Sequence, residues 1–417
     1  MTIDEAYAYV KNERTNVSKP GLSRIHKILR LLDHPEKDLK LIHVVGTNGK
    51  GSVTAMLSSI LTCAGYRVGS MSSPALKGLK DYYRIQLQTV SDEAYIDAVT
   101  RLQVVCEALP FEEYPTEFEM SVIIGILMFL QADCEYAVLE AGMGGAKDAT
   151  HLETPGILTV ITHIAKDHMQ YLGDTEQEIL LEKIGIASEG EPVVLGINKP
   201  EIRRSCDLYC FEHGNPFLYA EDSCITFSKN SLNAKMSLPG LYQQENAKTV
   251  CAAVYALRQQ DIYISNDAIR MGFANAILPY RFQFRSLKPY FIMDGGHNPD
   301  CIQALTESLS MLEDEPKFII VTGVMADKEY TSMYPMLLPF AERFITVTPN
   351  NSRSLPAKKL KKYIESIVAE ADAAGTIDKA AELAAEYYRK GKNILCTGTL
   401  YMMKDLEDAF HANGLMI

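Results

Sequence analysis

Short, almost wholly apolar segments alternate with longer amphipathic segments through the first half of the chain. A parallel strand covered by helices on both faces is apolar throughout, so the short segments predict buried strands and the longer ones predict helices. The predicted strands are residues 41–45, 136–139, 157–161 and 192–195. The predicted helices are residues 52–64, 91–108, 116–131 and 175–188. This alternation is typical of an α/β domain built on a parallel sheet.

The alternation is interrupted at residues 202–239 and then resumes. Within the interruption, residues 217–220, 225–227 and 234–238 predict short strands, which we assign to an antiparallel flank. After a helix predicted at residues 243–259, the second series has predicted strands at residues 291–293, 317–322, 344–348 and 393–397. Its predicted helices are residues 299–312, 329–340, 357–373, 379–389 and 400–411. The second series therefore predicts a second α/β domain.

The boundary between the two domains is predicted in residues 278–289, a basic and aromatic segment with a proline near each end. A chain of 417 residues is longer than one hydrophobic core usually supports, which also favours two domains. We therefore predict one domain from residues 1–283 and a smaller one from residues 284–417.

Composition narrows the classes of function. A net charge of −12 disfavours a nucleic-acid partner, because such proteins carry a basic surface. The nine cysteines are scattered without a CxxC pair, which fits a reducing cytoplasm better than a zinc site or a disulfide framework. Residues 1–11 are too polar for a signal peptide, and the apolar run at residues 122–130 is shorter than the ~20 residues that a membrane span needs. We expect a cytoplasmic monomer without a membrane partner.

The strongest local signal is a glycine-rich loop between a predicted strand and a predicted helix. Its sequence is Gly46-Thr47-Asn48-Gly49-Lys50-Gly51-Ser52. In such a loop, backbone amides and the helix N-terminus face the phosphates, the lysine neutralises the β- and γ-phosphates, and the serine meets a phosphate or its magnesium. The commonest P-loop has another glycine where Val44 stands. A simple helix-capping turn is the alternative, but the order of strand, loop, Lys50, Ser52 and helix favours a nucleotide site.

This loop resembles that of the Mur ligase superfamily, particularly its folylpolyglutamate synthase/dihydrofolate synthase branch. Further segments similar to this branch follow in the family's order at residues 72–74, 139–145, 148–150, 167–168, 172–175, 182–186, 244–247, 281, 294–299, 327–328 and 398–401. The resemblance implies a parallel-sheet P-loop ATPase-like domain at residues 1–283. It also implies a smaller, Rossmann-like α/β domain at residues 284–417 that completes the nucleotide and amino-acid sites.

The resemblance also implies a reaction. Proteins of this branch are ATP-dependent amide-forming ligases, which activate a carboxylate as an acyl phosphate and join it to an amino acid. In the folate-handling members, L-glutamate is added to tetrahydrofolate or its polyglutamates, and dihydropteroate is a further acceptor. ATP, L-glutamate and a folate or another carboxylate are therefore the expected partners, in one-carbon metabolism, with two magnesium ions at the site.

Individual residues receive roles from the same resemblance. The implied ATP contacts are Thr47, Asn48, Gly49, Lys50, Gly51, Ser52, Asn246, Arg281 and Asp294. The implied magnesium ligands are Ser73, Glu140, His168 and Lys183, the last as a carbamate formed with CO₂. The implied catalytic residues are Lys50, Lys183 and His297. Because magnesium prefers oxygen ligands, a histidine at the metal is chemically unusual.

Each of these residues has a structural alternative. Glu140 and Ser73 could cap turns, His168 could be a hydrogen-bonded core histidine, and Asp294 could be a helix N-cap. Lys183 could pair with Glu178 or Glu182 on a helix surface. Because Arg281 lies in the predicted linker, we expect it to reach ATP only when the two domains close.

Departures from the branch concentrate near the acceptor. Folate-handling relatives usually have other residue types at the positions of Ala75, Tyr83, Ala146, Lys147, His151, Tyr242 and Tyr280. One alternative is therefore a divergent ligase that joins an amino acid to a non-folate carboxylate. The others are a non-catalytic nucleotide-binding relative and a kinase of a small hydroxylated substrate.

Overall fold

The computed structural model describes residues 1–12, 15, 21–76, 78–222, 235–367 and 369–415. The chain forms two compact units. The first comprises Met1–Ser237 and Gln243–Ile277, and the second comprises Leu238–Tyr242 and Leu278–Ile417. No helix in the described ranges is both long and apolar enough to cross a bilayer.

The first unit is built on an eight-stranded sheet. Its strands are β1 (Lys40–Val45), β2 (Val68–Met71), β3 (Tyr83–Ile85), β4 (Gln88–Thr89), β5 (Tyr136–Glu140), β6 (Leu158–Ile161), β7 (Val193–Leu195) and β8 (Phe217–Tyr219). They lie in the order β4-β3-β2-β5-β1-β6-β7-β8. The six strands from β2 to β8 are parallel, and β3 and β4 add an antiparallel edge. The loop that follows β1 therefore leaves the middle of the sheet, where open parallel sheets bind ligands.

Ten helices of the described chain belong mainly to this unit. They are α1 (Ile3–Val10), α2 (Ser23–Leu31), α3 (Lys50–Cys63), α4 (Asp92–Cys106), α5 (Glu117–Gln131), α6 (Met169–Leu172), α7 (Glu176–Ile184), α8 (Pro200–Glu212), α9 (Tyr242–Arg258) and α10 (Asn266–Asn275). Capping boxes start α5 at Thr116 and α7 at Thr175, because each hydroxyl accepts the amide of a glutamate three residues later. Nearly all of α5 is buried, as is expected for a helix with apolar residues on every side.

The second unit contains a six-stranded sheet. Its strands are β9 (Gln283–Leu287), β10 (Tyr290–Met293), β11 (Phe318–Thr322), β12 (Ala341–Val347), β13 (Ala371–Gly375) and β14 (Asn393–Thr397), and its helices are α11 (Pro299–Leu309), α12 (Tyr330–Leu337), α13 (Ala357–Ser366), α14 (Ile377–Arg389) and α15 (Met403–Ala412). The strand order is β13-β12-β11-β14-β10-β9, and only β9 runs antiparallel to its neighbour. The predicted fold class, two α/β units on mostly parallel sheets, is confirmed.

Four local predictions are wrong or incomplete. The interruption at residues 202–239 contains α8, which carries the chain back so that β8 pairs parallel to β7 and forms no antiparallel flank. The helix predicted at residues 357–373 ends at Ser366 and is followed by β13. The predicted linker at residues 278–289 contains the edge strand β9. Residues 225–227 lie outside the described residues, and residues 235–238 form no strand.

Candidate nucleotide and ligation site

The glycine-rich loop connects β1 directly to α3. Gly46 and Gly49 have φ angles of 143° and 90°, which residues other than glycine rarely adopt. A Cβ on Gly46 would lie 1.9 Å from Thr162 Oγ1, and a Cβ on Gly49 would lie 2.4 Å from Asn246 Oδ1. Both glycines are therefore required by conformation and by close approach of neighbouring side chains.

The loop rests on the segment that follows β6. The amides of Thr47 and Asn48 donate to the His163 carbonyl at 2.8 and 3.3 Å, and Thr47 Oγ1 donates to Ala165 O at 2.9 Å. These two amides therefore point at the His163 carbonyl and away from the position where a phosphate would bind. The first intrahelical bond of α3 runs from Val53 N to Gly49 O. The amides of Lys50, Gly51 and Ser52 therefore form the first turn, in which amides have no partner within the helix. A phosphate at this helix N-terminus would meet the first-turn amides, with the favourable end of the helix dipole.

Two lysines converge on one carbonyl of the loop. Lys50 Nζ donates to Gly46 O at 3.2 Å, and Lys183 Nζ donates to the same oxygen at 2.8 Å. Lys183 is buried, and burial, together with repulsion from the Lys50 ammonium, lowers its pKa from 10.5 to about 7. The alternative of a surface ion pair is wrong for this lysine, since Glu178 instead accepts the amides of Asp174 and Thr175.

Glu140 and Ser73 are brought together at the ends of neighbouring strands. Glu140 is the last residue of β5, is buried, and lies opposite Val44 of β1. The Ser73 amide donates to Glu140 Oε2 at 3.2 Å. Carboxylate and hydroxyl oxygens are suitable donors for magnesium, which usually keeps several waters and needs few protein ligands. Within the described ranges, no group of three His, Cys, Asp or Glu side chains is arranged to hold a metal ion.

His168 lies at the start of the short helix α6 with a φ angle of 51°. Its amide donates to Asp167 Oδ1 at 2.9 Å, and its Nε2 lies 4.0 Å from Asp167 Oδ2. The side chain is partly exposed, so it is not a core histidine. Its role as a metal ligand stays a prediction.

Asp148 is a structural residue of the site to which the sequence-based reasoning assigned no role. Its buried carboxylate accepts the Met143 amide at 2.8 Å, the Thr150 amide at 2.9 Å and Thr150 Oγ1 at 2.7 Å. The turn it closes packs on α7, where a Cβ on Gly145 would lie 2.1 Å from the Lys183 carbonyl oxygen. The aspartate two residues before a threonine was the available signal, since such pairs close local turns.

Gln243 was also missed, although its neighbour Asn246 was predicted. Gln243 is buried in the first turn of α9, and its Nε2 donates to Ser52 Oγ at 3.1 Å. Its Oε1 accepts Asn246 Nδ2 at 2.9 Å. One glutamine therefore orients both Ser52 of the loop and the Asn246 side chain that lies against Gly49.

In the second unit, Asp294 follows β10 and is buried. Its Oδ2 accepts the Tyr242 hydroxyl at 2.9 Å and the Phe282 amide at 2.8 Å, and its Oδ1 accepts the Gly296 amide at 2.8 Å. The N-cap alternative is wrong, because Asn298 caps α11. His297 Nδ1 lies 3.1 Å from Gly295 O.

Comparison with known proteins identifies the family. Residues 44–254 match the model of the Mur ligase middle domain, and residues 280–400 match that of the Mur ligase, glutamate ligase domain. The chain is 32% identical over 410 residues to the dihydrofolate synthase/folylpolyglutamate synthase of Bacillus subtilis, which covers 93% of this chain and 94% of that protein. It is 30% identical over 378 residues to the folylpolyglutamate synthase of Lacticaseibacillus casei, covering 85% of this chain and 88% of that protein.

Solved structures agree. Escherichia coli FolC in complex with DHPP and ADP superposes with a TM-score of 0.88 at 26% identity, covering 100% of this chain and 99% of that one. The Yersinia pestis bifunctional folylpolyglutamate synthase/dihydrofolate synthase, complexed with AMPPNP and a Mn ion, gives a TM-score of 0.85 at 25% identity, covering 99% and 98%. The chain therefore belongs to the Mur ligase superfamily, in its folylpolyglutamate synthase/dihydrofolate synthase branch.

Proposed function

We propose that this protein is an ATP-dependent ligase that adds L-glutamate to a folate, either tetrahydrofolate or its polyglutamates, with dihydropteroate as a second acceptor. The observation that carries the proposal is the convergence of Lys50 and Lys183 on the Gly46 carbonyl, beside the first-turn amides of α3. That arrangement places the Lys50 ammonium where a triphosphate would bind, next to a second amine, that of Lys183, which can be modified. It occurs in a chain that aligns with a folate ligase over 93% of its length.

The residues of the first unit would hold ATP and prepare it for transfer. In the proposed complex the first-turn amides from Lys50 to Ser52 bind phosphate oxygens, and Lys50 leaves its carbonyl partners to neutralise the β- and γ-phosphates. Gln243 keeps Ser52 Oγ oriented towards the same region. Thr47 and Asn48 would contact ATP through their side chains, because their backbone amides donate to the His163 carbonyl.

The reaction follows from this placement. The acceptor carboxylate attacks the γ-phosphorus, the bond to the β-phosphate breaks, and ADP leaves with the electron pair. The amine of glutamate then attacks the acyl phosphate carbon and loses a proton, and inorganic phosphate departs as the amide forms. We assign contacts with the nucleotide to Asn246, Arg281 and Asp294, and we place His297 beside the reacting groups. Exclusion of water would protect the acyl phosphate from hydrolysis.

Ser73 and Glu140 fit a magnesium ion, because the bond from the Ser73 amide to the buried Glu140 carboxylate brings a residue that carries a hydroxyl next to a residue that carries a carboxylate. A divalent ion bound there would supply charge neutralisation at the phosphates. We assign a second ion to His168 and Lys183. In support, a Yersinia pestis relative contains a Mn ion together with AMPPNP.

Lys183 would serve as a ligand only after modification. A pKa of about 7 leaves a large fraction of the amine neutral at neutral pH, and a neutral amine can attack CO₂ to form an N–C bond and release a proton. The carbamate is an anion, so it would exchange its bond to Gly46 O for contacts with cations. Incubation with ¹³C-bicarbonate should give a carbamate NMR signal in the wild type and none in Lys183→Ala. A short added carboxylate should restore part of the activity that this variant loses.

Product release tests the whole proposal. ADP and phosphate should appear only when an acceptor carboxylate and L-glutamate are both present. A panel of tetrahydrofolate, its polyglutamates, dihydropteroate and simple carboxylates identifies the acceptor. Lys50→Ala and Glu140→Ala should abolish turnover in folded protein, whereas Lys199→Ala, which removes an exposed lysine paired with Glu176, should not. Substantial activity in either site variant would contradict the assignment.

The same assay separates the alternatives. Turnover only with a simple carboxylate would identify a non-folate ligase, and binding of ATP without phosphate release would identify a non-catalytic relative. A stable phosphorylated product formed without an amine would identify a kinase, whereas a ligase supplied with hydroxylamine yields a hydroxamate. Light scattering checks the proposal that the protein is a monomer, and fractionation of cells checks the proposed cytoplasmic location.

A further inference from the structure

Arg281 lies between two aromatic residues whose backbones are left-handed. Tyr280 and Phe282 have φ angles of 59° and 47°, and both side chains are almost fully buried. This conformation is unfavourable for any residue other than glycine. The conformation therefore persists only because surrounding contacts stabilise it.

Those contacts come from the turn that follows β10. The Gly295 amide donates to Tyr280 O at 2.8 Å, and the Phe282 amide donates to Asp294 Oδ2 at 2.8 Å. The backbone is thus held on both sides of Arg281. A Cβ on Gly295 would lie 3.3 Å from Arg281 Nη1, so the guanidinium lies against the glycine of the same turn.

Tyr242 completes this arrangement. Its hydroxyl donates to Asp294 Oδ2 at 2.9 Å, so that oxygen accepts both the phenol and the Phe282 amide. Burial and the neighbouring Asp294 carboxylate raise the Tyr242 pKa well above its ordinary value, so the phenol remains a donor at any working pH. Without the phenol, the buried carboxylate would have one donor fewer to fix its rotation.

We propose that Tyr242 is a positioning residue for nucleotide binding, which acts through Asp294 to hold residues 280–282 in the conformation that presents Arg281. The inference rests on the proposed function, in which Arg281 contacts ATP. Tyr242 itself touches Asp294 and is assigned no contact with the nucleotide. Because Asp294 is itself assigned a contact with the nucleotide, the contribution of Tyr242 should become smaller, without vanishing, when Arg281 is absent.

Calorimetry with AMPPNP and magnesium measures the effect without any acceptor. Tyr242→Phe should weaken AMPPNP binding about tenfold, since a hydrogen bond to a charged group is worth roughly 1.5 kcal/mol. The KM for ATP should rise by a similar factor, with a smaller change in kcat. Arg281→Ala should weaken binding at least as much, and the double variant should weaken it by clearly less than the product of the two single effects.

Hydrogen exchange supplies a second readout that does not depend on affinity. The Phe282 amide should exchange faster in Tyr242→Phe, because its acceptor Asp294 is less firmly held. Tyr334→Phe is the matched control: Tyr334 is buried in the same unit and its hydroxyl bonds to Thr322 Oγ1 at 2.9 Å. This control should leave both AMPPNP affinity and Phe282 exchange unchanged.

Several outcomes would overturn the inference. They are an AMPPNP affinity for Tyr242→Phe within twofold of wild type, additive effects of Tyr242→Phe and Arg281→Ala, or an equal loss in Tyr334→Phe. A wild-type protein that binds AMPPNP but forms no amide would instead refute the proposed function, and the binding test of Tyr242 would still stand.

Discussion

Replacement of Lys183 by methionine should make the protein more stable at neutral pH while abolishing its activity. The lysine is buried and its folded-state pKa of about 7 lies below the ordinary 10.5. At ~1.4 kcal/mol per pKa unit, the penalty for burying the ammonium is about 5 kcal/mol where both states are protonated. It falls to about 4 kcal/mol at pH 7 and about 2 kcal/mol at pH 9. Methionine is of similar length and carries no such penalty.

The sign follows from proton binding. Between pH 7 and 10.5 the unfolded chain binds the proton that the folded chain has released, so the wild-type free energy of unfolding rises with pH in this window. Well below pH 7 both states are protonated and the penalty is constant. The variant loses the bond from Nζ to Gly46 O, worth about 1 kcal/mol, although Lys50 still donates to that oxygen. The net gain should be about 3 kcal/mol at pH 7 and about 1 kcal/mol at pH 9.

Urea denaturation in bicarbonate-free buffer measures this difference. The free energy of unfolding of Lys183→Met minus that of wild type should be positive at pH 7 and should shrink by about 2 kcal/mol at pH 9. Lys199→Met, which replaces an exposed lysine, should show no such pH dependence. A variant that is less stable than wild type at pH 7, or a difference that does not change with pH, would refute the reasoning. Added bicarbonate should stabilise only the wild type if the carbamate forms.

Three further predictions concern the turns around the loop. Gly46→Ala should abolish ATP turnover and destabilise the protein, because the new Cβ would lie 1.9 Å from Thr162 Oγ1. Gly190→Ala is the control: Gly190 also has a positive φ, but a Cβ there would have no atom within 4 Å, so this variant should lower the melting temperature only slightly. Gly145→Ala should reduce activity by displacing α7 and Lys183, visible as faster hydrogen exchange in α7. Asp148→Asn should lower the free energy of unfolding by roughly 1–3 kcal/mol in urea titrations, since an amide cannot accept all three donors as the carboxylate does; an unchanged midpoint would contradict this.

The sequence-based prediction of the family and of a carbon–nitrogen ligase is confirmed by the comparisons, and the central strands and helices are confirmed by the fold. The strands that were not predicted lack a clear apolar pattern in the sequence. Strand β13 (Ala371–Gly375) consists of alanine, aspartate and glycine, which are poor strand formers, so the predicted helix at residues 357–373 extended into it. Strand β9 lies on a sheet edge and is only half-buried, so it lacks the apolar run of a central strand.

The assignment of individual residues to ATP and metal stays a prediction, but the tertiary structure changes what several of them can do. Nothing local to Thr47 or Asn48 indicates that their amides bond to His163, more than a hundred residues later. Spacing places Asp294 after a strand, but only the fold shows it joined to Tyr242 and Phe282.

Local patterns were sufficient for the strands of the central sheet, the glycine-rich loop and the family, because periodicity, turn chemistry and short motifs act over a few residues. The tertiary structure alone decided the pKa of Lys183 and the hydrogen bond between Ser73 and Glu140. It also decided the hydrogen bond from the Phe282 amide to Asp294, which holds the backbone next to Arg281. Burial and hydrogen bonds between distant segments set these properties. They depend on which surfaces meet after folding, and that information does not lie in any short stretch of the chain.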